Sequence, residues 1–196
     1  RQLEGSFYDA SKIQLSKTRV DRTSYFKDVN VETAPVAGSN DQVDVNFTVE
    51  EKPTGAMLIG AGFSTTDKLV LQGSVSQGNV FGSGKYLAVQ VSSGKVNSVY
   101  SLSYLDPYYT VDGVSRGFDV YKRKIDASSL TVGPYRTDAL GGGVKWGYPL
   151  SEKDSLSFGI NAERVTLDTF TTSPVAYQTF VNTYGKDYSY VSGTAG

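Results

Sequence analysis

The sequence predicts a mainly β chain in two parts. The first, over 1–52, is the C-terminal part of a small α+β domain. The second, over 53–196, is about seven antiparallel strands of an incomplete transmembrane β-barrel. Three observations predict this. A helical period followed by two strand-like runs is confined to the first fifty residues. Beyond the charged connection Glu50-Glu51-Lys52-Pro53-Thr54 the helical period disappears and alternation takes over, and proline there cannot continue a central ladder. The alternating runs are apolar on one face and largely Gly, Ser, Gln or Ala on the other. A soluble sandwich needs bulky residues on its inner face and many charges on its outer face, so this pattern suits a barrel with lipid outside and a loosely filled interior.

In the first part, Asp9 or Ser11 can cap a helix from about Ala10 to Arg22, because a short oxygen-bearing side chain satisfies the free N–H groups of a first turn. Ile13, the Lys17 stem and Val20 share one face, with Leu15 to one side. Two strand-like runs follow. In Tyr25 to Thr33, Phe26 is offset from the Val29/Val31 alternation. In Gln42 to Val49, Val43, Val45, Phe47 and Val49 alternate with polar residues. Pro35 and Gly38-Ser39-Asn40 form the turn between them. One helix and two strands bury too little to stand alone, so a partner element is expected upstream.

Seven alternating runs follow. Their apolar faces are Met57, Ile59, Ala61 and Phe63; then Leu69, Leu71, Gly73 and Val75; Leu87, Val89 and Val91; Tyr100, Leu102 and Tyr104; Phe118 and Val120; Leu140, Val144, Trp146 and Tyr148; and Leu156, Phe158 and Ile160. The connections are expected to alternate between short and long, as in barrels with short turns on one side of the membrane. Thr169 onward reads as the longest loop, and YSYVSG near the end as a further possible strand start. Seven strands leave open edges that hydrocarbon does not tolerate, so the barrel is expected to be incomplete in this chain.

Composition narrows the chemistry. Formal net charge is −1, which gives no footing for a nucleic-acid partner. Cysteine and histidine are both absent, which removes disulfides, thiolate sites, the commonest general base and the commonest zinc ligand. No clustered carboxylate pair stands in a recognisable motif, so the expectation is no enzyme, no cofactor and no metal. Asp106 and Asp112 are spaced for turns and Asp119 for a strand, which argues against a calcium site. No stretch approaches the roughly 18 apolar residues of a membrane helix. Trp146, Tyr148, Tyr104, Tyr108 and Tyr109 lie near inferred turns, where a barrel carries its interfacial girdle. Lys122-Arg123-Lys124 falls at the far end of a strand leaving the Asp106–Ser115 turn; charge runs usually mark solvated faces, with lipopolysaccharide phosphate as the alternative partner.

Four ordered segments resemble the BamA family of outer-membrane barrel assembly proteins. They are Glu4-Gly5 with YDASKIQLSKTRVDR and the following YFKDVNVETAPVAGSNDQVDVNFTVEEKPTG; Gly73 to Lys85; DPYYTVDGVS from Asp106 to Ser115, the most specific; and GYPLSEKDSLSFG from Gly147 to Gly159. The resemblance implies the end of the last POTRA domain entering a sixteen-stranded barrel, of which roughly the first half is here. It implies an outer-membrane location with the POTRA part in the periplasm, and a non-enzymatic role in folding and inserting client barrel proteins through a lateral gate. The gate residues it implies are Gly55, Ala56, Met57, Leu58, Ile59, Gly60, Ala61, Gly62 and Phe63. Glycines at 55, 60 and 62 weaken that strand, and an opened seam could take a client strand by β-augmentation. Glu4 corresponds to an acidic position that contacts the lipoprotein BamD. The partners implied are the Bam lipoproteins, unfolded outer-membrane clients, periplasmic chaperones and the lipid and lipopolysaccharide membrane. A TamA-like assembly factor or a two-partner secretion transporter shares the architecture, with a poorer match expected at DPYYTVDGVS. A passive porin would lack the first fifty residues, and a soluble β-rich binding domain would stay monomeric without detergent.

Overall fold

The computed structural model describes residues 2–129, 133–151 and 154–196. Parts of two expected links, 130–132 and Glu152-Lys153, lie outside the described residues. The chain divides into two compact units, Arg1–Thr54 and Gly55–Gly196; the sequence reading sets its boundary two residues earlier.

In the first unit, α1 (Ala10–Arg22) starts on Asp9, whose carboxylate accepts from the N–H groups of Ser11 at 2.9 Å and Lys12 at 3.2 Å. Asp9, not Ser11, is therefore the cap. Arg19 and Arg22 occupy the last turn, where positive charge suits the helix dipole. The strands β1 (Phe26–Pro35) and β2 (Val43–Glu51) form an antiparallel hairpin. A bulge between Phe26 and Asp28 explains why Phe26 falls out of the alternation. In register, Val29 faces Val49, Val31 faces Phe47 and Thr33 faces Val45. α1 packs on β1, and Ile13 and Val29 form the buried core.

The second unit is one eight-stranded antiparallel sheet of sequential hairpins. Its strands are β3 (Gly55–Ser64), β4 (Lys68–Gln77), β5 (Tyr86–Ser93), β6 (Asn97–Asp106), β7 (Ser115–Asp126), β8 (Tyr135–Pro149), β9 (Ser155–Thr169) and β10 (Asp187–Ala195). Seven match the alternating runs. The eighth grows from the YSYVSG start and pairs from Asp187↔Thr166 to Ala195↔Phe158. It escapes the alternation count because its lipid-type face carries Ser189, Gly193 and Ala195, with Val191 the one large apolar residue.

Cross-strand register assigns every side chain to a face, since directly opposed residues point the same way. One row runs Met57, Val75, Val89, Leu102, Val120, Gly142, Ala162, Val191. This apolar face is exposed almost throughout, as a soluble core would not be. The opposite, polar face carries Gln72, Ser74, Gln90, Ser101, Ser103, Asp119, Asn161 and Glu163. What is buried in this unit includes Ala139, Val165 and Leu167 on the polar face, with Val96 and Ala127 in turns.

One expectation changes. The links do not alternate in length. One rim carries 65–67, 94–96, 127–134 and 170–186, lengthening along the chain; the other carries 78–85, 107–114 and 150–154. The tightest turns and the longest loop thus share a rim. That loop, the longest as expected, contains α2 (Val175–Tyr184). Phe180 of α2 meets Tyr188 edge-on at 5.8 Å and Tyr177 meets Tyr135 at 5.4 Å, which seats the helix on the sheet's end.

Candidate functional site

The candidate gate strand, β3, pairs with β4 alone among the described residues. Its register is regular, from Gly55↔Gln77 to Ser64↔Lys68. The side chains are open on both faces: Met57 is 70% exposed, Ile59 76%, Phe63 78% and Leu58 57%. The carbonyl oxygen of Leu58 lies 3.9 Å from the Cβ position of Gly73 on β4, and the carbonyl of Ser76 lies 3.8 Å from that of Gly55. Those carbonyls point across the hairpin, so Ala56 and Leu58 belong to the β3–β4 ladder. Backbone direction alternates along a strand, so the N–H and C=O groups of Gly55, Met57, Ile59, Ala61 and Phe63 point to the unpaired edge. Gly60, by contrast, is packed: a Cβ there would stand 3.1 Å from the Gln72 amide nitrogen. At Gly62 nothing lies within 4 Å.

The far end of β3 is pinned. Ser64 Oγ accepts from the N–H of Asp67 at 2.7 Å, and Lys68 takes a left-handed φ of 58° to close the turn. Asp67 then reaches the neighbouring 94–96 turn. Its Oδ1 accepts from the N–H groups of Asn97 at 2.8 Å and Val96 at 3.1 Å, while its carbonyl accepts from Lys95 N–H at 3.0 Å. The Asn97 backbone N–H, opposed by a little burial, holds the Asp67 carboxyl below its ordinary value. Nothing in the sequence spacing points to this tie, since the partners are about thirty residues away.

On the polar face, a second cluster forms where β7, β8 and β9 meet. Glu163, only 6% exposed, accepts from Tyr121 and from Arg123 Nη2 at 2.8 Å. Asn161 donates to the Tyr121 hydroxyl at 3.0 Å. Nearby, Asp119 pairs with Lys145 at 2.7 Å and accepts from Ser103 at 2.9 Å. Ser103, Asp119, Tyr121, Arg123, Lys145 and Asn161 line a recess of about 450 Å³. They satisfy one another, and Asp119 stands apart from Asp106, which pairs with Lys85 at 3.5 Å. Among the described residues no three acidic side chains converge to hold a metal.

Glu4 sits exposed in a turn before α1, beside Gly5 with φ 69°. Tyr104, Trp146 and Tyr148 lie on the apolar face toward the 107–114 rim, with Phe118 and Phe158 among them; Trp146 stacks on Phe158 at 5.6 Å and Tyr104 tilts on Phe118 at 6.1 Å. Tyr108 and Tyr109 occupy the turn itself, where Arg116 lies 3.7 Å over the Tyr109 ring.

This arrangement, a small α+β unit feeding a hairpin-by-hairpin sheet with an apolar outside, agrees with two family models. The POTRA model, described as the surface antigen variable number repeat, matches residues 1–52, and the Omp85 superfamily domain model matches 79–192, more than half the chain. The chain belongs to the Omp85 superfamily. This Omp85 chain is 40% identical over 188 residues to the outer membrane protein assembly factor BamA of Neisseria meningitidis serogroup B, covering 95% of the chain and 24% of that protein. It is 29% identical to BamA of Nitratidesulfovibrio vulgaris, covering 84% of the chain and 20% of that protein. The crystal structure of BamA from Haemophilus ducreyi lacking POTRA domains 1–3 superposes with a TM-score of 0.74 at 26% identity, over 100% of the chain and 38% of that structure. The Omp85 chain thus spans about a quarter of the length of the curated relatives it matches.

Proposed function

We propose that this chain is the POTRA-to-barrel portion of a non-enzymatic outer-membrane protein assembly factor, and that β3 is the strand at which client barrels are templated. The observation that carries the reading is the edge of β3. Alternate residues from Gly55 to Phe63 direct their backbone groups away from β4, and main-chain pairing is indifferent to client side chains. The likeness to the two BamA proteins supports the family role. In this reading the first unit lies in the periplasm, the apolar face meets lipid, and the 65–67 rim faces outward. Clients arrive unfolded from periplasmic chaperones, and Bam lipoproteins complete the machine.

The test uses the parity of the strand. Ile59→Pro or Ala61→Pro removes an edge N–H and leaves the β4 ladder intact. Each variant in the full-length protein should fold, as judged by heat-modifiable mobility, yet lose client insertion. Gly60→Pro, on the ladder side, should instead weaken the barrel itself. Normal client insertion by Ile59→Pro would sink the gate assignment.

For the lipoprotein contact, Glu4 is exposed and carries charge that a basic partner surface can use. Glu4→Lys should reduce co-purification of a BamD-type lipoprotein with the full-length protein, while the barrel still inserts. Undiminished association would remove Glu4 from the interface.

A further inference from the structure

We propose that Lys122 and Lys124 on the outer face of β7 form a seat for the phosphate of a lipid headgroup in the outer leaflet. The proposal rests on the barrel orientation above and adds a ligand to it. The run Lys122-Arg123-Lys124 is split by the pleat. Arg123 turns to the polar face and is held by Glu163, whereas Lys122 and Lys124 turn to the apolar face. The register neighbours of Lys122 are Tyr100 and Leu140, and Val120 precedes it on the same face. Asp138 stands only diagonally, as the register partner of Lys124, and makes no ion pair with Lys122. Lys122 is exposed.

An ammonium group facing hydrocarbon amid a tyrosine, a leucine and a valine is costly unless its stem carries it to a polar layer. Tyrosine favours the same layer. The other cations of this rim stand beside carboxylates, with Asp138 opposite Lys124 and Asp187 near Arg164, so the seat centres on Lys122, whose register neighbours are uncharged. Lys124 reaches only to 3.9 Å of Asp126, which Arg136 already holds at 2.8 Å. Arg164, in register with Leu140 on its other side, is two-thirds exposed and 3.8 Å from Asp187. The opposite rim differs. There Arg116 is stacked against Tyr109 and Phe118, and Lys85 is paired with Asp106. Among the described residues, cations not engaged in close pairs therefore concentrate at the 94–96 rim, beside the apolar band, where an anionic headgroup can accept from them.

The experiment places the full-length protein in nanodiscs of phosphatidylcholine, with and without a phosphomonoester-bearing glycolipid, and counts retained lipid by native mass spectrometry. Wild type should retain the phosphorylated lipid in preference to phosphatidylcholine. Retention should fall about fivefold for each of Lys122→Gln and Lys124→Gln. Lys122→Arg should keep it, and Lys95→Gln, in the turn, should leave it unchanged. Equal retention by wild type and the double glutamine variant would overturn the proposal. So would complete displacement by inorganic phosphate, which would mark a general phosphate site. A separate arm labels Lys95→Cys on intact cells with a membrane-impermeant maleimide. Absence of label overturns the orientation, while the nanodisc arm, where both rims meet lipid, still decides whether the lysines hold phosphate.

Discussion

At Asp67 one carboxylate joins two turns, and its chemistry gives a pH dependence. Backbone N–H groups of Asn97 and Val96 favour the charged form, so the folded carboxyl titrates below its ordinary value. A lowered folded value means that the tie contributes above the unfolded carboxylate range and is lost as pH falls through the folded value. Relative to the intrinsic rate at each pH, amide exchange at Val96 and Asn97 should therefore quicken once acidification passes below the ordinary aspartate range. Asp67→Ala should produce the same few-fold quickening at neutral pH, with screening by solvent keeping the effect modest. Hydrogen exchange that is unchanged in the variant would remove Asp67 as the pin. In the sequence, Asp67 reads only as a turn residue. Its acceptor role depends on which turn lies beside it, and that follows from sheet order. Arg123 is a similar case: the sequence shows a basic run, but only the pleat separates the partner of buried Glu163 from the two outward lysines.

At the scale of elements, legibility follows how local the determining forces are. α1 is readable to its ends because its cap and its apolar stripe are both local. Strands β3 to β9 are readable because the period of two survives in each. α2 is not, since VAYQTFVNTY is apolar around most of its circumference and Pro174 offers no side-chain cap; Pro174 before it and Gly185 after it, with φ 84°, were the available signals. Glycines on the polar face of β8 serve packing that only the register reveals. A Cβ at Gly141 would overlap the Tyr121 ring, which lies across it to reach Glu163. That glycine thus makes room for the polar cluster joining β7 to β9. In β3 the strand and its glycines were legible, but the parity of its edge was not, because periodicity says which face a side chain takes and not which neighbour a backbone group addresses.

The whole molecule turns on one assignment, that the apolar face meets lipid, and the chain carries its own probe of it. Trp146 is its single tryptophan. It lies on the apolar face, in register with Arg116 on one side and Phe158 on the other, toward the rim of the 107–114 turn. Tryptophan at such a depth belongs to the interfacial layer, where its ring is wet at one end and apolar at the other. In the full-length protein, with any tryptophan outside this chain replaced by phenylalanine, emission from Trp146 should be quenched strongly by lipids brominated near the glycerol end. Bromine placed near the chain end should quench it weakly. The aromatic neighbours Tyr104, Tyr148, Phe118 and Phe158 share this band, so the result speaks for the girdle as a whole. A soluble sandwich would bury the same residues in its core and show no quenching at either depth. A barrel turned inside out would give emission responsive to aqueous iodide and not to brominated lipid. Only an apolar outer face, with its aromatic rim at the membrane surface, combines strong quenching by shallow bromine with no more than a partial response to iodide.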